Sequence, residues 1–182
     1  MKNKIFLTFI FFYLNFFLIG LSNAQDQFNF DISEIEILEN GNKIIGSKRG
    51  KVSTGDGFVI EADNFIYKKV ENILNANGNV IIKDKTNNYN IYSNNITYEK
   101  NSEKIFSKGK TKGEISSRFI LDSTDVTFFR DKKILSSNKD TSILDNDEQT
   151  HVKLKKFSFS IVEEILKGEK ILVNLDYNLP QN

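Results

Sequence analysis

The stretch NILNANGNVIIKD, Asn72 to Asp84, sets a polar Asn-Ala-Asn-Gly-Asn run between two apolar pairs, Ile73-Leu74 and Ile81-Ile82. Alone it reads as a hairpin turn; its spacing to the rest of the chain changes that reading. Ile60, Ala62, Phe65, Tyr67, Leu74 and Ala76 recur 31 residues later as Ile91, Ser93, Ile96, Tyr98, Ile105 and Ser107, and 30 further on as Leu121, Ser123, Val126, Phe128, Leu135 and Ser137. Another step of 31 gives Val152, Leu154, Phe157, Phe159, Leu166 and Gly168, and a step of 30 back gives Phe30, Ile32, Ile35, Ile37, Ile44 and Gly46. Every apolar or small position is matched, so five copies of one unit cover nearly all of the chain after Ala24. A fixed period of this size marks a repeat architecture.

Within each copy the apolar residues alternate, which is the pattern of a half-buried strand. The parity then shifts, at Asp63-Asn64, Asn94-Asn95, Thr124-Asp125 and Lys155-Lys156. A recurring shift of this kind marks a bend or bulge where the chain re-aims its apolar face. Polar runs follow, Lys68 to Asn72, Glu99 to Lys104 and Phe129 to Lys133, with Asn40-Gly41 in the earliest copy. They read as hairpin turns, after which a strand returns, Ile73 to Lys83 in the second unit. No window of eleven or more residues after Ala24 keeps a helical period, although Ile161 to Lys167 allows one or two helical turns. The single proline, Pro180, leaves the strands free to pair without gaps. The expectation is an all-β domain of about ten or more strands over 25–182, arranged either as a sandwich or as a closed barrel.

Residues 1–24 read instead as an export signal: Lys2 and Lys4, an uncharged run from Ile5 to Leu21, and the small residues of Ser22-Asn23-Ala24. The competing reading is a retained anchor, since 17 mostly apolar residues reach the lower edge of a membrane span. Removing 24 of the 182 residues leaves 158, with 23 basic and 24 acidic side chains. That balance argues against nucleic acid as a partner, because phosphate binding needs clustered positive charge. There is no cysteine and one histidine, His151, expected to face solvent. A thiol nucleophile is therefore excluded, and a catalytic triad or multi-histidine metal site has almost nothing to build on.

The phrases IEADNFIYKK and ILNANGNVIIKD, followed by IYSNNITYEKNSEKIFSKGK, resemble the OstA-like repeat of the lipopolysaccharide transport proteins. That family includes the periplasmic bridge LptA, the anchored LptC and the N-terminal periplasmic domain of LptD. The signature runs Ala62-Asp63-Asn64, an alternating aromatic, a loop, then Ala76-Asn77-Gly78-Asn79-Val80. It recurs as Ser93-Asn94-Asn95 with Lys108-Gly109-Lys110, and departs in the third copy, where Asn138-Lys139 stands in place of glycine. The resemblance covers about residues 28 to 175.

What it implies is a β-jellyroll of two antiparallel sheets with an apolar groove that carries the acyl chains of lipopolysaccharide in the periplasm. Its partners would be other jellyroll subunits of the bridge and an outer-membrane barrel, with no cofactor and no enzymatic step. The groove candidates are Ile60, Phe65, Tyr67, Leu74, Ile91, Ile96, Tyr98, Ile105, Leu121, Val126, Phe128 and Leu135. The same side chains equally suit a plain sandwich core. The aromatic column Tyr67, Tyr98, Phe128, Phe159 is expected to keep its tyrosine hydroxyls wet at a rim. Lys68 and Lys100 are expected to point outward. Lys108, Lys110 and Lys112 are expected on one solvated strand face, as are Lys153, Lys155 and Lys156. Glu61, Asp63 and Asp122 sit at bends or outward positions, not in a spacing that makes a glycosidase pair. Two other readings are a secreted β-solenoid of the adhesin kind and a barrel-type lipid carrier.

Overall fold

The computed structural model describes residues 28–175. The expected leader, 1–24, and the chain after Leu175 lie outside the described residues. Fourteen strands form one antiparallel ladder: β1 (Asn29–Leu38), β2 (Lys43–Ser53), β3 (Phe58–Ala62), β4 (Asn64–Lys68), β5 (Ile73–Asp84), β6 (Tyr89–Glu99) and β7 (Lys104–Ile115), then β8 (Phe119–Phe129), β9 (Ile134–Ser137), β10 (Thr141–Asp145), β11 (Thr150–Leu154), β12 (Lys156–Ser160), β13 (Ile165–Glu169) and β14 (Leu172–Leu175). Helical structure among the described residues is limited to the 3-10 turns Glu39–Gly41 and Lys100–Ser102.

The ladder is creased along its length. Register shifts fall between Ile32 and Glu34, Asn77 and Val80, Ser93 and Asn95, and Ser107 and Lys110. Elsewhere the strand breaks outright, between β3 and β4 at Asp63 and between β11 and β12 at Lys155. Asp63, the Ser93–Asn95 shift and Lys155 are positions where the parity of the repeat shifts, whereas β5 and β7 keep their parity across the bulge. Thr124-Asp125, another parity position, stays within β8, with Asp125 at φ 52°. On one side of the crease lies a first leaf made of 29–32, 50–53, β3, 80–84, 89–93, 110–115, 119–124, β10, β11 and β14. The second leaf is made of 34–38, 43–47, β4, 73–77, 95–99, 104–108, 126–129, β9, β12 and β13. Every pass of the chain supplies one segment to each leaf, which is the all-β fold expected from the repeat and the two-sheet jellyroll that the resemblance implied. All pairs are antiparallel between successive passes, so the stacked coils of a β-solenoid do not describe this chain. Nor is it a closed barrel: among the described residues β1 pairs only with β2, β13 only with β12 and β14 only with β11.

The leaves fold face to face, because each has one apolar face that must be covered. Successive repeat positions stand side by side across the ladder. In the first leaf Val52, Ile60, Ile82 and Ile91 are consecutive partners, and in the second Ile44, Tyr67, Leu74, Tyr98, Ile105, Phe128 and Leu135 are. Buried residues of both leaves make one core. The small positions of the repeat have a steric cause at Gly46, where an added Cβ would lie 2.6 Å from Ile32 Cδ1.

The turns of the second leaf repeat as faithfully as the strands. The amides of Lys69, Lys100, Arg130 and Ile161 donate to the carbonyls of Asn42, Asn72, Glu103 and Lys133, at 2.8–3.0 Å. Asn72, Glu103, Lys133 and Glu164 all hold positive φ at the equivalent place. One expectation fails here. Ile161 to Lys167 makes no helical turns: a turn leads into β13, which pairs with β12, and Glu164 at φ 54° ends any helical run.

Candidate lipid-binding interior

The structure gathers all twelve groove candidates on the facing surfaces of the two leaves. Ile60, Ile91 and Leu121 come from the first leaf. Phe65, Ile96 and Val126 lie beside the crease in the second, and Tyr67, Leu74, Tyr98, Ile105, Phe128 and Leu135 farther from it. Eleven of the twelve are buried and Tyr67 is half-buried, so the space between the leaves is filled by side chains. Toward the two ends the cover is lost. On the inward rows Ile37 of β1 is 64% exposed and Val173 of β14 is 50% exposed, with Ile35 also open.

The side away from the crease, the mouth, is bridged by aromatic rings at the period of the repeat. Phe28 meets Tyr67 at 5.2 Å between centroids, Phe58 meets Tyr98 at 5.8 Å, Tyr89 meets Phe128 at 5.2 Å and Phe119 meets Phe159 at 5.2 Å, all edge-to-face. The predicted column therefore exists, and each ring in it has a partner at or before the start of a first-leaf segment. Sequence reasoning missed those partners, although positions 28, 58, 89 and 119 repeat with the same spacing.

The expected wet tyrosine rim is corrected. Tyr98 is fully buried, and its hydroxyl donates to Glu103 Oε2 at 2.5 Å while accepting from Arg130 Nη1 at 3.2 Å. Burial, then the bond to Glu103, pushes its pKa well above the usual phenol value. Tyr67 donates to Asn72 Oδ1 at 2.9 Å. Lys100 does not point away: its ammonium bonds Glu103 and lies 5.8 Å from the Tyr98 ring centroid. Lys68 is exposed, as expected.

Charge enters the mouth at Arg130, which the sequence reading overlooked. One guanidinium nitrogen donates to Glu103 at 2.7 Å and the other bonds Asp56, while the group stacks 4.3 Å from the Phe58 ring centroid. Burial pushes the Asp56 carboxyl up, but the Thr54 hydroxyl and the Arg130 charge outweigh it and hold the pKa at about 2. Glu103 is likewise held below its usual value: burial opposes, and bonds from Lys100, Tyr98 and Arg130 prevail. A signal existed, since Lys69, Lys100 and Arg130 each follow the aromatic column by two residues.

On the outer surface, Lys108 and Lys110 are exposed on opposite sides of the crease and Lys112 bonds Glu114 at 2.7 Å, so the three lysines do not share one unbroken face. Lys155 and Lys156 pair with Asp140 and Glu169. Glu61 and Asp63 both approach Arg49, at 3.6 and 3.2 Å, and Glu61 takes a second bond from Lys83 that lowers its pKa. Glu61 is therefore not poised as a proton donor. His151 lies on the outward row as expected, half-buried, with Nε2 2.6 Å from Ser142 Oγ. Among the described residues no three His, Cys, Asp or Glu side chains are grouped to hold a metal.

No family model matches this chain, and no curated protein sequence matches it. Among solved structures it is similar to the crystal structure of LptH, the LptA homologous periplasmic component of the conserved lipopolysaccharide transport device from Pseudomonas aeruginosa. That likeness has a TM-score of 0.35 and 8% identity, over 86% of this chain and 100% of the other.

Proposed function

We propose that this chain is a periplasmic component of lipopolysaccharide transport to the outer membrane. It carries acyl chains between its leaves and joins neighbouring jellyrolls through its free edges, either as an LptA-like bridge or as the N-terminal domain of an LptD-like translocon. The observation that carries the reading is the apolar path between the leaves, which runs across the whole ladder and is uncovered at its ends, at Ile37 and at Val173. Each methylene moved from water into such a path contributes about 0.8 kcal/mol, so a long acyl chain needs continuous apolar cover throughout its journey. A row of subunits set end to end supplies it. Among the described residues the outer edges of β1, β13 and β14 are unpaired, and they provide the joints by adding a neighbour's strand to the ladder. The repeat signature supports the same reading independently of the packing.

Photocrosslinkers placed one at a time at Ile37, Tyr67, Ile96 and Phe128, with outward controls at Lys68 and Lys153, test this in cells that export lipopolysaccharide. Lipopolysaccharide is expected on the inward positions. Capture at Lys68 and Lys153 alone would remove the interior as the carrier.

A further inference from the structure

Most of the mouth is closed by hydrocarbon, and the Asp56–Arg130 bridge is an exception that the apolar path does not need. Arg130 is 6% exposed, and its Nε has no hydrogen-bond partner. The buried Tyr89 hydroxyl, from the first leaf, also has none, and burial together with the Asp84 and Asp56 charges raises its pKa. An ion pair whose cation alone is buried, with unpartnered donors beside it, is a poor way to stabilise a sandwich, because desolvation of the guanidinium offsets much of the attraction. It suits a contact that has to change partners.

The partners are divided unequally between the leaves. Tyr98, Glu103 and Arg130 belong to consecutive segments and turns of the second leaf, and the Arg130 amide is tied to the Glu103 carbonyl at 2.9 Å. Asp56 alone comes from the first leaf, on the short turn between β2 and β3, and its side chain is 53% exposed. When the leaves part, Arg130, Glu103 and Tyr98 move together and Asp56 leaves. One guanidinium edge is then vacant at the threshold of the interior, beside the ring of Tyr98. The neighbouring cross-mouth pairs are less suited to such an exchange. Lys133 stands 3.9 Å from Asp84, and Arg118, 3.0 Å from Glu164, is held mainly by Asp145 of its own leaf at 2.7 Å.

We propose that the Asp56–Arg130 bridge is a lateral gate for an amphiphile with an anionic head, Arg130 exchanging the Asp56 carboxylate for the head's phosphate or carboxylate as the tail enters between the leaves. The proposal rests on the acyl-carrying reading above. A guanidinium offers the forked donors that phosphate and carboxylate both accept, and its charge in a half-dry mouth strengthens the bond. Asp56 acts as a built-in competitor, so the empty protein stays shut and an anion of the right shape opens it by binding the open state better.

The chain has no cysteine, so spin labels on Lys85→Cys and Asp131→Cys, exposed turn positions of the first and second leaf, report the width of the mouth in the full chain. The wild type is expected to give one short distance distribution, and Asp56→Asn to add a longer one without ligand. Binding is then measured with dodecyl phosphate, dodecanoate and uncharged dodecanol, each below its micelle concentration. Asp56→Asn should bind the two anions at least fivefold more tightly. Arg130→Gln should bind them at least tenfold more weakly relative to dodecanol, whose own affinity follows only the open population in either variant. Arg130→Lys, which keeps the charge, should fall between, and it decides the matter if Arg130→Gln does not fold. Tightening for only one anion identifies which head the gate takes. Equal affinities for all three amphiphiles in every variant would overturn the gate and leave the acyl-carrying reading standing. Absence of any binding to the wild type would overturn that reading, and an unchanged distance distribution in Asp56→Asn would overturn the gate on its own.

Discussion

Replacing Gly78 by alanine tests the crease. Gly78 sits in the bulge of β5 at φ +78°, and a Cβ built there would lie 2.6 Å from Asp63 Oδ2 and 3.0 Å from Asp63 Cβ. Gly109, the equivalent glycine one repeat later in β7, has φ +85° and nothing within 4 Å of its added Cβ. Both substitutions place a side chain in the left-handed region, at about 1–2 kcal/mol. Only Gly78→Ala must also push Asp63 aside, breaking its bond from Asn79 Nδ2 at 2.7 Å and its pair with Arg49 at 3.2 Å. For such exposed partners the loss is about 1–2 kcal/mol in total. At this chain length each kcal/mol lowers Tm by roughly 3–4 °C, so Gly78→Ala should melt about 3–8 °C below Gly109→Ala. The comparison cancels the change in unfolded-chain entropy, which is the same for both. In an Asp63→Ala background the excess should disappear, as a double-mutant cycle followed by thermal circular dichroism will show. Equal melting of the two single variants, or an excess that survives removal of Asp63, would refute the assignment of the crease to this close approach.

Tyr98→Phe removes a buried hydroxyl bonded to Glu103 and Arg130 and should cost about 1–3 kcal/mol in urea unfolding. Tyr89→Phe removes a hydroxyl without a partner and should stay within about 0.5 kcal/mol of the wild type. Because the Asp56 carboxyl is held at about 2, below its ordinary 3.8, its contribution to stability is complete above pH 3.8 and is lost as the pH falls through 2. Unfolding measured across that window should therefore lose part of its pH slope in Asp56→Asn. Ile35→Lys with Ile37→Lys places charge on the free edge of β1, where both side chains are exposed, and should abolish concentration-dependent association in sedimentation without lowering Tm.

The crease and the turns were legible because they are written locally. A parity shift at Asp63, Asn94, Thr124 or Lys155 is visible within a few residues, and the 30–31-residue period confirms it. The same period placed the interior rows correctly. What it could not place were contacts made by turns that fold over the mouth. Lys100 lies in a polar run and reads as solvated, yet the left-handed Glu103 that closes its turn brings it back against Tyr98. Arg130 and Asp56 are 74 residues apart and meet only because the leaves face each other. Ile161, Ile165 and Leu166 mimic one face of a helix, but pairing of β13 with β12 overrides that local spacing.

Whether the interior is core or groove is a question of occupancy more than of residue type. The ladder changes register at the crease, so the leaves can hinge there while keeping the strand pairs on either side. The mouth itself opposes opening through four edge-to-face ring pairs, worth about 0.5–1.5 kcal/mol each beyond their burial. Greater resistance comes from the apolar surface of side chains such as Leu74, Phe128 and Ile60, each of which contributes about 1.5–3 kcal/mol by staying out of water. An acyl chain between the leaves would replace the opposing leaf for those side chains, so that the cost of exposing them largely cancels and only the mouth contacts have to be exchanged. On the acyl-carrying reading the empty protein is therefore closed for the same reason that the loaded one can open. Substitutions that enlarge the interior should then weaken the empty fold more than the loaded one.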